Sequence, residues 1–385
     1  MEYRCNAVRQ NNSQRISALA GFFVAALLAG WLWLNAKRPA LPVAPARGLT
    51  NGVAAAQAEA SATPVGEDKL KMAANKLAGA SDAAGKNSAL IELKSALASG
   101  SVSEPARAIR QLLDSKMDAP TGRGFKIGKG GMLTEAPTLR AWLLDQLAQI
   151  DPAAAAEYAK IILQSKDSPD EWALALRNLA LGDASKEARA LLAGKTGELL
   201  GAKDWQQNPA ASYLEAFDTV VFLGGTDFVP TLAGLVSTQD NPALAHAAFL
   251  TLDRLVIHDP TAMLSTLLEH PALMSGREQT RADYFARADV SNPKQLELLQ
   301  NYLLQTSTAE RQQFAGVFPN ANFMVSANLL TQSPALDQGE IKKRDAESLK
   351  VVQQWLADPR FAGARPELEK IQVRLQEFVR QASQP

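Results

Sequence analysis

Residues 16–34, ISALAGFFVAALLAGWLWL, form a 19-residue run with no charged side chain. As a helix rising about 1.5 Å per residue, the run reaches roughly 28 Å, close to the ~30 Å hydrocarbon core of a bilayer. Trp31 and Trp33 lie at its C-terminal end, where amphipathic rings favour the membrane interface, and Lys37 and Arg38 close it. A buried globular helix is rarely so long and so uniformly apolar. A cleavable signal peptide needs small residues one and three positions before the cut; the stretch WLWLNAKRP offers Leu34 and Ala36 instead. The run is therefore expected to be an uncleaved transmembrane anchor over residues 16–36, meeting lipid through 16–34 after a short tail, 1–15. Arg4, Arg9 and Arg15 precede it and Lys37, Arg38 and Arg47 follow it. A short tail with three arginines favours retention inside. The expected product is a single-pass inner (plasma) membrane protein whose large domain is periplasmic or otherwise extracytoplasmic.

The anchor leads into residues 37–68, where composition changes abruptly. Nine of the thirty residues from 39 to 68 are Ala and four are Pro, and Pro39, Pro42 and Pro45 recur every third position. That spacing suits polyproline II, and the absence of apolar periodicity marks a tether. Beyond it, residues 69–385 carry 34 basic and 36 acidic side chains. A domain near −2 has no basic excess for neutralising phosphates, so nucleic acid is not an expected partner. The lone cysteine, Cys5, precedes the anchor, which leaves the large domain without a disulfide or a thiolate metal site.

Within 69–385 one pattern recurs. Leu144-x-x-Leu147 is followed four residues on by Asp151, Leu176-x-x-Leu179 by Asp183, Val220-x-x-Leu223 by Asp227, and Leu252-x-x-Leu255 by Asp259. The copies lie 32, 44 and 32 residues apart. Leu at i and i+3 marks the buried stripe ending one helix. An Asp four residues later is placed to cap the next, and Pro152 and Pro260 fall at the first helical position, where no N–H is missed. Five and eight residues past each Asp stand Ala156 and Ala159, Ala188 and Leu191, Leu232 and Leu235, Leu264 and Leu267. These share one face of the second helix. Pro137, Pro169, Pro209 and Pro242 lie near the starts of the first helices.

A helix pair repeating every ~30–45 residues is the mark of an α-solenoid. The stretch 241–270, NPALAHAAFLTLDRLVIHDPTAMLSTLLEH, resembles a HEAT repeat in its Pro-led first helix, small-residue middle and short Asp turn. The resemblance covers roughly residues 134–274 and implies an all-α stack of helical hairpins. Residues 69–118 read as two or three Ala/Leu helices. Residues 294–305, 346–356 and 368–379 read as further helices, the last amphipathic through Leu368, Ile371, Leu375 and Phe378.

Chemistry-bearing patterns give little. Residues 122–131, GRGFKIGKGG, lack the spacing and the Ser/Thr of a Walker A loop. They read as the turn of a small β-hairpin near 122–134, with Arg123, Lys126 and Lys129 as candidate anion-contacting side chains. His246, His258 and His270 are twelve apart, which is no ligand spacing within one helix, and are expected in capping or surface roles near helix ends. Glu367 and Glu369 read as solvated. Phe318-Pro-Asn-Ala-Asn-Phe323 reads as a buried corner, with Phe318, Asn320 and Phe323 as the candidate contacts if it instead meets a partner. No catalytic, cofactor or metal residues are expected.

The expected role is therefore a membrane-anchored scaffold that binds a still unspecified protein. The alternative is a tethered steric chaperone. Lipase-specific foldases resemble this chain in layout, with anchor, Ala/Pro-rich linker and helical domain. Their Arg-x-x-Phe-Asp-Tyr motif is absent: in Arg281-Ala-Asp283-Tyr284-Phe285, Ala282 stands where the motif has Phe and Gln279 where it has Arg.

Overall fold

The computed structural model describes residues 65–98, 103–238, 240–321, 326–333 and 336–382. The expected anchor and nearly all of the tether lie outside them. Among the described residues no helix is long and apolar enough to cross a membrane.

The described chain is overwhelmingly helical, as expected. The first helix, α1 (Val65–Gly79), starts four residues before the boundary expected from composition. It forms a hairpin with α2 (Ala83–Leu97), whose N-terminus is capped by Asp82 accepting from Gly85 N at 2.7 Å. After α3 (Ser103–Asp114) come two short antiparallel strands, β1 (Lys126–Ile127) and β2 (Leu133–Glu135), which form the expected small hairpin.

Next come α4 (Leu139–Ile150), α5 (Pro152–Ile162), α6 (Pro169–Gly182) and α7 (Lys186–Leu200), then the short α8 (Lys203–Gln207), α9 (Ala211–Glu215) and α10 (Asp218–Leu223). The helices α11 (Val229–Val236), α12 (Pro242–His258) and α13 (Pro260–Glu269) follow. All eight Leu and Val positions of the LxxL pairs are buried. Two of the four Asp caps form as expected: Asp151 accepts from Ala154 N at 3.0 Å, and Asp259 from Ala262 N at 3.2 Å.

The other two expected caps do not form. Ser185 caps α7 by accepting from Ala188 N at 3.1 Å, while Asp183 accepts from Ser185 N at 3.0 Å and pairs with Lys160 at 3.0 Å. Asp227 falls inside a 3-10 turn, and α11 begins after it without a side-chain cap. The shorter hydroxyl two residues on fits the α7 turn better than a carboxylate four residues past the LxxL. On the second helices Leu191 is only half-buried and its neighbour Leu192 takes the core position.

Close approach sets the α5–α6 contact. A Cβ on Gly182, at the end of α6, would lie 2.0 Å from Pro152 O, at the start of α5, so the two helices can touch there only because that residue is Gly. Two apolar cores meet at this junction, one running from Leu70 to Leu174, the other from Ala159 to Leu375. Leu255→Ala, in the second core, should lower the unfolding free energy by about 2–5 kcal/mol. Asp259→Ala should lower it by about 0.5–2 kcal/mol through the lost cap. Both are read by urea denaturation of the same preparation, and a silent Leu255→Ala would contradict the packing.

Alternate helices along the chain are also tied by buried Arg–carboxylate pairs. Arg177 pairs with Asp145 at 2.6 Å, Arg254 with Asp218 at 3.2 Å, and Arg287 with Asp253 at 2.6 Å. Arg140 grips Glu171 at 2.8 and 2.9 Å, and Arg281 grips Glu310 at 3.1 and 3.2 Å. In every case the partner is 29–36 residues away, about one helical hairpin along the chain.

The C-terminal part packs α14 (Glu278–Phe285), α15 (Pro293–Gln305) and α16 (Thr308–Val317) through a run of rings: Phe285, Tyr302, Phe314, Phe318, Trp355 and Phe361. It closes with a second hairpin, α17 (Gln338–Ala357) and α18 (Arg365–Ala382). Between α16 and α17 a small two-stranded turn, β3 (Ser326–Ala327) and β4 (Gln332–Ser333), returns to the early part of the chain. Its Leu330 and Thr331 N–H groups donate to Asp218 at 2.7 Å, and its Leu329 carbonyl sits where a Cβ on Gly131 would be, 2.1 Å away. Gly131 has φ +78°, so its backbone conformation and the close approach both call for Gly.

Candidate interaction site

A cleft of about 410 Å³ opens where α3, α4, α5 and α6 come together. Its floor is built by the Arg140–Glu171 pair, with side chains 12% and 15% exposed. Thr138 caps α4 and Ser168 caps α6, and these caps hold the two partners in the first turns of neighbouring helices. Arg140 Nη1 also donates to the Leu113 carbonyl at 2.7 Å, so the three guanidinium nitrogens are all engaged. The Arg140 guanidinium is pushed above its ordinary pKa chiefly by Glu171. Beside it the Tyr158 hydroxyl lies within reach of Asp114 and Arg140. Burial, reinforced by Asp114, pushes that hydroxyl up, which keeps it a neutral donor at physiological pH.

The walls are Ile161, Ile162 and Trp172, whose indole N–H donates to the Ser165 carbonyl. Asp114, Lys116 and Asp167 stand exposed at the rim. This is an open, mixed surface with aromatic and aliphatic anchors and a carboxylate-rich edge. At its rim the Ser165 hydroxyl donates to Asp167 at 2.7 Å. Among the described residues no group of three His, Cys, Asp or Glu side chains is arranged to hold a metal ion.

A second pocket, about 280 Å³, lies between α9, α12 and the 326–328 turn and is mostly apolar. Glu215 stands in its wall, and burial raises the Glu215 carboxyl above its ordinary pKa, Arg254 opposing.

No protein-family model, curated protein or solved structure matches this chain.

The residues singled out from sequence scatter over the fold. Arg123 is exposed and donates to Asn87 on α2 at 2.6 Å. Lys126 reaches Glu135 across the hairpin at 3.6 Å, and Lys129 is exposed near the hairpin turn. Phe318 is fully buried, as the buried-corner reading expects, stacked on Phe314 with ring centres 4.8 Å apart in the aromatic core. Asn320 is half-buried, and its backbone N–H donates to Ala286 O at 2.7 Å. Phe323 lies outside the described residues. The three histidines are all exposed.

Glu367 differs from expectation. It is buried in the first turn of α18, while Glu369 is exposed. Helix N-termini favour negative charge, and α18 docks its first turn rather than leaving it in water. The stretch compared with the foldase motif also has a structural use: Tyr284 and Phe285 are core residues, and Arg281 lies over the Phe285 and Tyr302 rings while bonded to Glu310.

Arg140, Tyr158, Glu171 and Trp172 were not singled out from sequence. Each sits within a helix whose pattern explained it as packing or surface. The available signal was the 31-residue separation of Arg140 and Glu171, which matches the 32-residue offset of the LxxL copies.

Proposed function

We propose that the chain is a membrane-anchored protein-interaction scaffold acting in the cell envelope. In this reading its middle part, roughly 134–274, is a HEAT-like stack of helical hairpins. The observation that carries the proposal is the state of the buried ionisable groups. The Arg–carboxylate pairs are locked one hairpin apart, so they serve packing rather than proton transfer. The recurring one-hairpin separation of those pairs also supports the stacked arrangement. What remains for recognition is surface, and the cleft at Tyr158 and Trp172 offers aromatic and aliphatic anchors there.

That cleft suits a peptide segment of a partner protein. An apolar side chain would seat against Ile161 and Ile162, and a basic one would face Asp114 and Asp167. The 328–331 turn, lodged between the Gly131 loop and Asp218, already fills part of the fold's own surface. The partner is therefore directed to the open cleft instead.

Two measurements test the proposal. C-terminal reporter fusions should show export; a cytoplasmic reporter, or a mature N-terminus near residue 37, would defeat the anchored topology. In crosslinking from intact membranes, Ile161→Glu combined with Asp114→Lys should reduce capture of the partner about tenfold or more while leaving thermal stability unchanged. Unaltered capture would move the site elsewhere, and turnover of a small molecule by the purified chain would replace the scaffold reading.

A further inference from the structure

The formal charge is unevenly spread along the described part of the chain. Residues 65–135 carry eleven basic and eight acidic side chains, whereas residues 136–385 carry 23 and 30. The end of the domain that joins the tether is thus +3 and the remainder −7. The same end exposes two large apolar side chains. Met72 on α1 is 70% exposed and Ile91 on α2 is 62% exposed.

Contacts place these groups together. Lys76, one helical turn from Met72, donates to Glu92 at 2.5 Å, and Glu92 is the chain neighbour of Ile91. Ile91, Lys94 and Arg123 line one shallow depression between α2 and the β-hairpin, and Lys86 lies over Gly122 beside it. Lys69, Lys94 and Arg123 are exposed and, among the described residues, none has a carboxylate within ion-pair distance. The Arg123 guanidinium donates to the neutral Asn87 amide oxygen at 2.6 Å.

We propose that this face, α1–α2 with the adjoining β-hairpin, lies on the surface of an anionic bilayer. Lipid headgroups supply the missing negative charge, and Met72 and Ile91 enter the interface. Basic side chains and exposed apolar groups reinforce one another there, because either signal alone gives weak, reversible attachment. The geometry rests on the anchored reading. In that reading the tether joins the domain at α1, which begins at Val65. Docking there leaves the acidic remainder, with the Tyr158 cleft, turned to solvent and to a partner.

The test uses the full chain with Cys5→Ser and one new cysteine, Met72→Cys, Ile91→Cys or Val373→Cys, carrying a fluorescent label. Val373, exposed on α18, is the reference position. In vesicles with about one-third anionic lipid, labels at 72 and 91 should be quenched by headgroup-attached quenchers roughly threefold more than the label at 373. The excess should vanish in purely zwitterionic vesicles, in molar salt, and in Lys69→Glu/Lys94→Glu/Arg123→Glu. Equal quenching at the three positions, or quenching indifferent to lipid charge, overturns the proposal. Flotation with zwitterionic vesicles reads the anchor separately, since the basic face adds nothing there. Should flotation fail, co-sedimentation with anionic vesicles still decides: binding lost in the triple variant upholds the face, and no binding overturns it.

Discussion

Arg177→Met is expected to destabilise the helical domain by about 3–5 kcal/mol, among the largest losses available to a single substitution in this chain. Arg177 is wholly buried in α6. Its Nη1 donates to Asp145 at 2.6 Å and to the Gly131 carbonyl at 2.8 Å, and its Nε and Nη2 donate to Asn178 Oδ1 at 3.1 and 2.9 Å. Asp145 in turn accepts from Leu133 N at 3.0 Å and from Gln149 at 2.8 Å. One guanidinium therefore joins α4, α6 and the β-hairpin. A methionine fills similar volume but leaves a buried carboxylate without its countercharge and a buried carbonyl without a donor. Urea denaturation measures the loss. The double variant Asp145→Leu/Arg177→Met should recover much of it, because an apolar pair removes the uncompensated charge; recovery stays partial because the Leu133 N–H and Gly131 C=O remain unpaired. A loss below about 1 kcal/mol for Arg177→Met would show that the carboxylate is relieved by solvent and that the network contributes little.

Asp218→Ala is the second large effect, also about 3–5 kcal/mol. The Asp218 side chain is fully buried at the start of α10. It takes the Leu330 and Thr331 N–H groups at 2.7 Å each, the Thr331 hydroxyl at 2.5 Å and Arg254 at 3.2 Å. Its removal strands Arg254, whose side chain is 11% exposed, and frees two backbone donors more than a hundred residues away in sequence. Stability and local order should fall together. Amide exchange at Leu330 and Thr331 should accelerate at least about tenfold relative to the α4–α6 core, since the turn loses its attachment to α10. Asp218→Asn retains one acceptor oxygen and should fall between the two. If Leu330 and Thr331 stay protected in the alanine variant, the Gly131–Leu329 contact alone holds the turn.

These two residues show where sequence reasoning stops. Asp145, Arg177 and Asp218 lie on helices whose apolar stripes were plain, yet a charge within such a stripe reads equally well as an exposed position. Burial of the pair depends on the neighbouring hairpin bringing the opposite charge to the same level, and that is a property of the stack, not of either helix. The local devices were legible where they act over four residues or fewer: the Pro-led helices, the Asp151 and Asp259 caps, the buried LxxL positions and the Gly-rich β-hairpin. They were misassigned where a nearby competitor was equally local. Ser185 replaced Asp183 as a cap, and Leu192 replaced Leu191 in the core.

The chain's own residues therefore determine a mostly helical domain, because hydrophobic period and capping act within a turn or two and favour helices that bury the apolar stripes. Tertiary packing alone decided the rest. Phe318 already reads as part of a buried corner, but its partners Phe314 and Trp355 were set by packing, and Glu367 was buried because α18 docks its first turn. The cleft at Tyr158 exists because Arg140 and Glu171, 31 residues apart, meet across two helices. The turn at 328–331 lodges between Gly131 and Asp218 because a glycine leaves room for one carbonyl and a buried carboxylate awaits two N–H groups. The long-range ones among these contacts join residues separated by 31 to nearly 200 positions, and no periodicity read along the chain encodes which of them will face each other.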